Sequence, residues 1–230
     1  MYFCAPQLIR FRMKIALTGP SNRKEEWKSK IASDCNIIEF EFGRELPECD
    51  VLVDLAFDDH PERILAYGPL PTPLILSCVK VQLIGVLAHF GINAKKNVYG
   101  INALATFINR EKNEMSLAFE SQKEAGNELC ARLGLTPEWV KDRVGLVTPR
   151  ILFMIINEAY YTVQEGTAGK ADINTGMKLG TAYPHGPFEW VDLVGIQDVF
   201  EVLDSLYQDT REERYKICPM LKTEYLESGV

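Results

Sequence analysis

Two observations predict an α/β protein in which a reduced parallel-sheet domain precedes an all-helical C-terminal domain. Over residues 13–144, short apolar runs alternate with segments of helical period, the order that a parallel sheet with crossover helices requires. From residue 145 to 230, apolar residues instead recur at three- and four-residue spacings, interrupted by Gly and Pro. In the first part, 14–18 is a short apolar strand, 23–32 a helix, 36–42 a strand of alternating hydrophobicity and 50–57 a third strand. A helical turn at 61–66 leads to a strand at 74–79 and a helix at 81–90. Strands at 97–102 and 115–119 and a helix at 121–133, closed by Gly134, complete the sheet domain, and the boundary falls near 142–145. Residues 1–12 lack the apolar core and small-residue cleavage site of a signal peptide and read as an N-terminal extension.

The helical part opens with a long helix from about 146 to 164, whose face carries Ile151, Leu152, Ile155, Ile156, Ala159 and Tyr160. Asp172 is expected to cap a short helix with Ile173, Met177 and Leu179 on its apolar side and Gly180 at its end. Pro184, Gly186 and Pro187 then punctuate the chain. Proline opens the next helix, which Phe188, Trp190, Val191 and Leu193 anchor and Gly195 ends. A last amphipathic run holds Val199, Phe200, Val202, Leu203 and Leu206.

Composition narrows the partners. With 230 residues, 47% of them hydrophobic and 25% charged, the chain can form two small cores. The helical part carries 7 basic and 13 acidic side chains, and neither part clusters Lys and Arg, so nucleic acid is excluded as a partner. No apolar run approaches a membrane span; the densest, ILFMII, is flanked by Arg150 and Asn157. Cys4, Cys35, Cys49, Cys78, Cys130 and Cys218 show no CxxC spacing and read as reduced core thiols of a cytoplasmic protein. Three histidines without Cys/His or His/Glu spacing exclude a zinc site.

The run GLVTPRILFMIINEAYYTVQEG and the PHGPF turn resemble the C-terminal domain of the 3-hydroxyacyl-CoA dehydrogenases, and the resemblance extends over residues 145–230. It implies a Rossmann-like NAD domain upstream and NAD-dependent oxidation of L-3-hydroxyacyl-CoA to 3-oxoacyl-CoA. It also implies a CoA thioester as ligand and a homodimer formed through residues 145–230.

Against that pattern the catalytic set is altered. The GxGxxG turn needs glycine for tight turning, approach to pyrophosphate and helix packing. Here Gly19 remains, Ser21 and Lys24 stand at the other two glycine places, and Glu39 or Glu41 has the spacing of the ribose-binding acid. Asn102 stands where the resemblance places the histidine base, and an amide accepts no proton. Glu114 stands where the glutamate that orients the base belongs. The substrate-binding serine falls on Val79, Lys80 or a neighbour, with Ser77 close, and the substrate-binding asparagine falls on Pro149. Lys95 and Lys96 are candidates to greet a phosphate. His60 reads as loop, and His89 and His185 as packed or capping residues. The expected function is therefore a weakly active or inactive dehydrogenase-like protein. The alternatives are a non-catalytic dimeric ligand-sensing or interaction protein, and a working reductase with Glu114 or His89 as relocated base.

Overall fold

A computed structural model describes residues 12–92 and 97–229. Of the N-terminal extension all but Arg12 lies outside the described residues, as do Cys4, Lys95 and Lys96. The first half runs β1 (Lys14–Thr18), α1 (Ser21–Lys30), β2 (Asn36–Glu39), β3 (Val51–Asp54), α2 (Ile64–Tyr67) and β4 (Leu74–Ser77). There follow α3 (Leu83–His89), β5 (Val98–Ile101), β6 (Asn113–Leu117), α4 (Lys123–Leu133) and β7 (Pro137–Val140). The strands form one seven-stranded sheet in the order β2-β1-β3-β4-β5-β6-β7. The middle strands β3, β4 and β5 are buried at every residue, as strands covered by helices on both faces must be. β2, at the edge, is only half-buried. Strand order reverses between β1 and β3, which makes the carboxyl ends of these two strands the topological switch point.

The helical part comprises α5 (Thr148–Gln164), α6 (Lys170–Thr181), α7 (Pro187–Val194), α8 (Ile196–Thr210) and α9 (Pro219–Ser228). Its core joins Phe153, Ile156 and Tyr160 of α5 to Phe188 and Val191 of α7 and to Val199, Val202, Leu203 and Leu206 of α8. Each such side chain contributes roughly 1.5–3 kcal/mol through burial. Cys78, Val79, Leu104 and Phe107, all from the first half, belong to the same core, so the helices are seated on the sheet rather than tethered to it. In the PHGPF turn, a Cβ on Gly186 would meet Asn174 Cβ at 2.5 Å. Asn174 Oδ1 accepts the Phe188 N–H at 3.0 Å, and Glu189 accepts the Gly186 N–H at 2.8 Å. Glycine stands here because α6 passes against it.

The structure corrects several sequence expectations. One pairing, β5 with β6, is antiparallel. The strand expected over 36–42 ends at Glu39, and the strand expected over 74–79 ends at Ser77. β7 is a strand too short and too mixed in polarity to stand out, and α9 follows Pro219 with little amphipathic pattern. Asp172 lies inside the first turn of α6, after Gly169 at the cap, and Gly180 lies within that helix. The helix ends instead at Ala182, in the left-handed region at φ 56°. Leu179, expected on the buried side, is 83% exposed.

The joint between the two parts is tied by backbone bonds. Asp142 accepts the N–H groups of Leu83 and Ile84 at the start of α3, each at 2.8 Å. Gly145 N–H donates to Val79 O at 2.6 Å.

Candidate active site

Asn102 and Glu114, twelve residues apart, are brought together by the antiparallel meeting of β5 and β6. The Asn102 N–H donates to Glu114 O at 2.9 Å, and Asn102 Nδ2 donates to Glu114 Oε2 at 3.2 Å. Asn102 is buried, and its Oδ1 faces the Leu104 N–H at 3.4 Å. Glu114 Oε1 meanwhile accepts the N–H groups of Val147 at 2.6 Å and Thr148 at 3.0 Å. These are orphan donors of the first turn of α5, which has no side-chain cap of its own. The carboxylate is spent on an amide and a helix terminus. The pair is therefore a structural clasp between sheet and helix, and its amide half can neither take nor pass a proton.

At the switch point, Gly19 has φ 135°, and a Cβ there would lie 2.8 Å from Leu55 Cβ. Close contact between the β1 and β3 ends explains this glycine without any ligand. Arg23, absent from the sequence reading, is buried in the first turn of α1. Its guanidinium donates to Leu55 O at 2.8 Å and to Asp198 Oδ2 at 2.5 Å, spanning from the sheet end to the first turn of α8. Lys80, just past β4, pairs with Asp198 at 2.9 Å, Asp59 at 2.5 Å and Glu201 at 2.5 Å, with its side chain only 7% exposed. Burial opposes the charge on Lys80, but the facing carboxylates prevail and raise its pKa. Asp58 caps the turn by accepting the N–H groups of Val79 and Lys80 at 2.9 and 3.2 Å, and burial pushes its carboxyl up.

This crevice is where an open α/β sheet takes a dinucleotide. The residues present do not fit one. Among those described, four carboxyl groups (Asp58, Asp59, Asp198 and Glu201) answer two cations whose hydrogen bonds are already committed. A pyrophosphate would meet surplus negative charge. Ser21 opens α1 without capping it, and the Arg23 N–H is turned onto Asn22 Oδ1 at 2.9 Å. Glu39, at the end of β2, is held by Lys24 at 2.6 Å and by Lys28, and hydrogen bonds from the two ammonium groups bring its pKa down to about 2. Glu41 lies past the strand end, exposed, 3.1 Å from Arg44. Each acid is already paired with a cation.

The remaining candidates are dispersed. His89 closes α3 at the surface, edge-on to Phe90, and His60 is exposed beside Glu62. His185 packs edge-on to Trp190 at 4.8 Å. Ser77 is fully buried at the end of β4, and Pro149 occupies the first turn of α5. Cys78 and Cys130 are buried thiols; desolvation raises both, Cys130 to about 12, which leaves no reactive thiolate. The sequence reading takes Lys80 only as a place for the substrate-binding serine and misses Arg23 and Asp198; the trace Asp198 leaves is its position after Gly195 at a helix start.

Residues 145–229 match the family model of the 3-hydroxyacyl-CoA dehydrogenase C-terminal domain. The chain is 27% identical over 213 residues to a 3-hydroxybutyryl-CoA dehydrogenase of Bradyrhizobium diazoefficiens, covering 89% of this chain and 71% of that protein. It is 40% identical over 97 residues to the 3-hydroxyadipyl-CoA dehydrogenase of Escherichia coli, of which it spans only 20%. Among solved structures, an (S)-3-hydroxybutyryl-CoA dehydrogenase of Ralstonia eutropha superposes with a TM-score of 0.68 at 21% identity, over 84% of this chain and 70% of that one, a likeness of fold. No described helix is long and apolar enough to cross a membrane. Residues 145–229 thus match the 3-hydroxyacyl-CoA dehydrogenase C-terminal domain, and the chain as a whole is similar in sequence to a 3-hydroxybutyryl-CoA dehydrogenase and in fold to another.

Proposed function

We propose that this chain is a 3-hydroxyacyl-CoA dehydrogenase-like protein that carries out NAD-dependent oxidation of L-3-hydroxyacyl-CoA weakly or not at all. The observation that carries this reading is the Asn102–Glu114 clasp: the base position holds an amide, and the acid beside it caps α5. Loss of a general base costs roughly 10²–10⁴ in rate. The charged crevice supports the same reading, because it opposes the cofactor that the relatives' names imply.

Following NADH absorbance with acetoacetyl-CoA tests it. Oxidation at or barely above background is expected, and turnover at an ordinary enzymatic rate of about 10 s⁻¹ contradicts it. The alternative, a non-catalytic dimeric ligand-sensing or interaction protein, predicts that acetoacetyl-CoA binds in a calorimeter without being turned over. We further propose that two copies pair through residues 145–230. Leu179, 83% exposed, supports that surface, and sedimentation at two concentrations checks it. The free thiols among the described residues support a reducing compartment, the cytoplasm.

A further inference from the structure

A groove of about 700 Å³ opens between α5, the turn before α7 and the loop joining β5 to β6. That volume lies within the range of small-molecule sites. Its walls are mostly apolar, with Ile151, Leu152 and Ile155 on one side and Trp190 and Leu193 on the other. Arg110 also lines it. Its guanidinium lies flat on aromatic rings, 4.3 Å from the Phe107 centroid and 5.6 Å from that of Trp190, and its Nε donates to Thr106 O at 3.3 Å. Among the described residues no carboxylate forms an ion pair with it. Glu111 also lines the groove but is exposed, and Glu114 is committed to Asn102 and α5. Desolvation opposes the charge of this arginine, and the attraction of Glu114 offsets that only in part.

Two further observations lie beside Arg110. Thr106 Oγ1 and Trp190 Nε1 are buried and have no hydrogen-bond partner among the described residues. Natural cores leave few such donors unpaired, and each one left calls for a partner or a reason. Thr106 is also held at φ 73°, a left-handed conformation that a β-branched residue adopts only under constraint, with its N–H fixed to Glu26 Oε1 at 2.8 Å.

We infer that this groove is a binding site for an amphiphilic monocarboxylate, a medium-chain aliphatic or aryl carboxylic acid, with its carboxylate on Arg110 and its apolar body along Ile151, Ile155 and Leu193. One arginine in an otherwise mostly apolar lining matches a molecule with one anionic group and an apolar body. The site lies at the junction of α5 and α7, away from the switch-point crevice, and stands whether or not the chain oxidises a hydroxyacyl thioester.

Calorimetric titration of the full chain with octanoate and, separately, with octanol tests it. Saturable one-to-one binding of octanoate is expected, with octanol at least about tenfold weaker, since a hydrogen bond to a charged group is worth about 1.5–3 kcal/mol. Arg110→Ala should weaken octanoate by about tenfold or more without altering octanol, and Arg110→Lys should recover part of that loss. Ile151→Trp, at a position 57% exposed and outside the core, should block both ligands while the melting temperature is kept. Equal affinity for the two ligands, or an Arg110→Ala protein that binds octanoate normally, overturns the assignment. So does absence of octanoate binding in the wild type, which is the result if a second copy closes the groove.

Discussion

The helical half and the switch-point crevice have diverged from the family pattern to different degrees. In the helical half, Gly186, Asn174 and Glu189 form the PHGPF turn by contacts internal to that half, and the aromatic core beneath it is complete. In the crevice, Arg23 and Lys80 reach from the sheet ends to Asp198 and Glu201 on α8, so groups from both halves meet where a dinucleotide would lie. The difference teaches that the helical half holds its shape by packing within itself, whereas the crevice is held by ion pairs that cross from one half to the other. Buried ion pairs then link the two halves, and removing one partner is costly because the others are left without compensation.

Four expected outcomes sharpen or break the comparison. The largest is Phe153→Ala, fully buried in α5, which should cost about 3–5 kcal/mol in denaturant unfolding. Next, Lys80→Ala should destabilise by about 3 kcal/mol, below the upper range for a lost partner because Asp59 and Glu201 are 31% and 37% exposed at their side chains. A benign Lys80→Ala would mean that the crevice is wet and open, and the contrast between the regions would disappear. Glu114→Ala should cost about 1 kcal/mol, as expected for a lost helix cap, and hydrogen exchange should quicken at Val147 and Thr148.

The smallest effect concerns Glu39. Its folded pKa, about 2, lies below the unfolded carboxylate value of about 4.3. Whatever stability it adds is present above the unfolded value and is lost as pH falls through about 2. Nuclear magnetic resonance titration should place its midpoint near 2, and in a protein with both Lys24→Met and Lys28→Met the midpoint should return towards about 4.3. An unchanged midpoint would separate Glu39 from the lysines.

Sequence pattern carried the fold further than it carried the site. The central strands were legible because burial on both faces forces continuous apolar runs, as in VLVD and LILS. α5, α7 and α8 were legible because their apolar residues keep helical period. The antiparallel β5–β6 pair was hidden, since strand direction is set by tertiary pairing and leaves no local mark. Glu114 and Asn102 were placed by resemblance, and the structure joins them. That Glu114 serves the end of α5 was not legible, because a separation of 33 positions between Glu114 and Val147 says nothing of their proximity. Arg23 and Asp198 lie 175 residues apart, and their pairing is a property of the folded joint alone.

The account depends on a crevice filled by its own side chains. Isothermal titration of the full chain with NADH measures this directly. No saturable heat is predicted, because Arg23 and Lys80 are already bonded and the surrounding carboxyl groups oppose pyrophosphate. Saturable one-to-one binding of NADH would contradict the account.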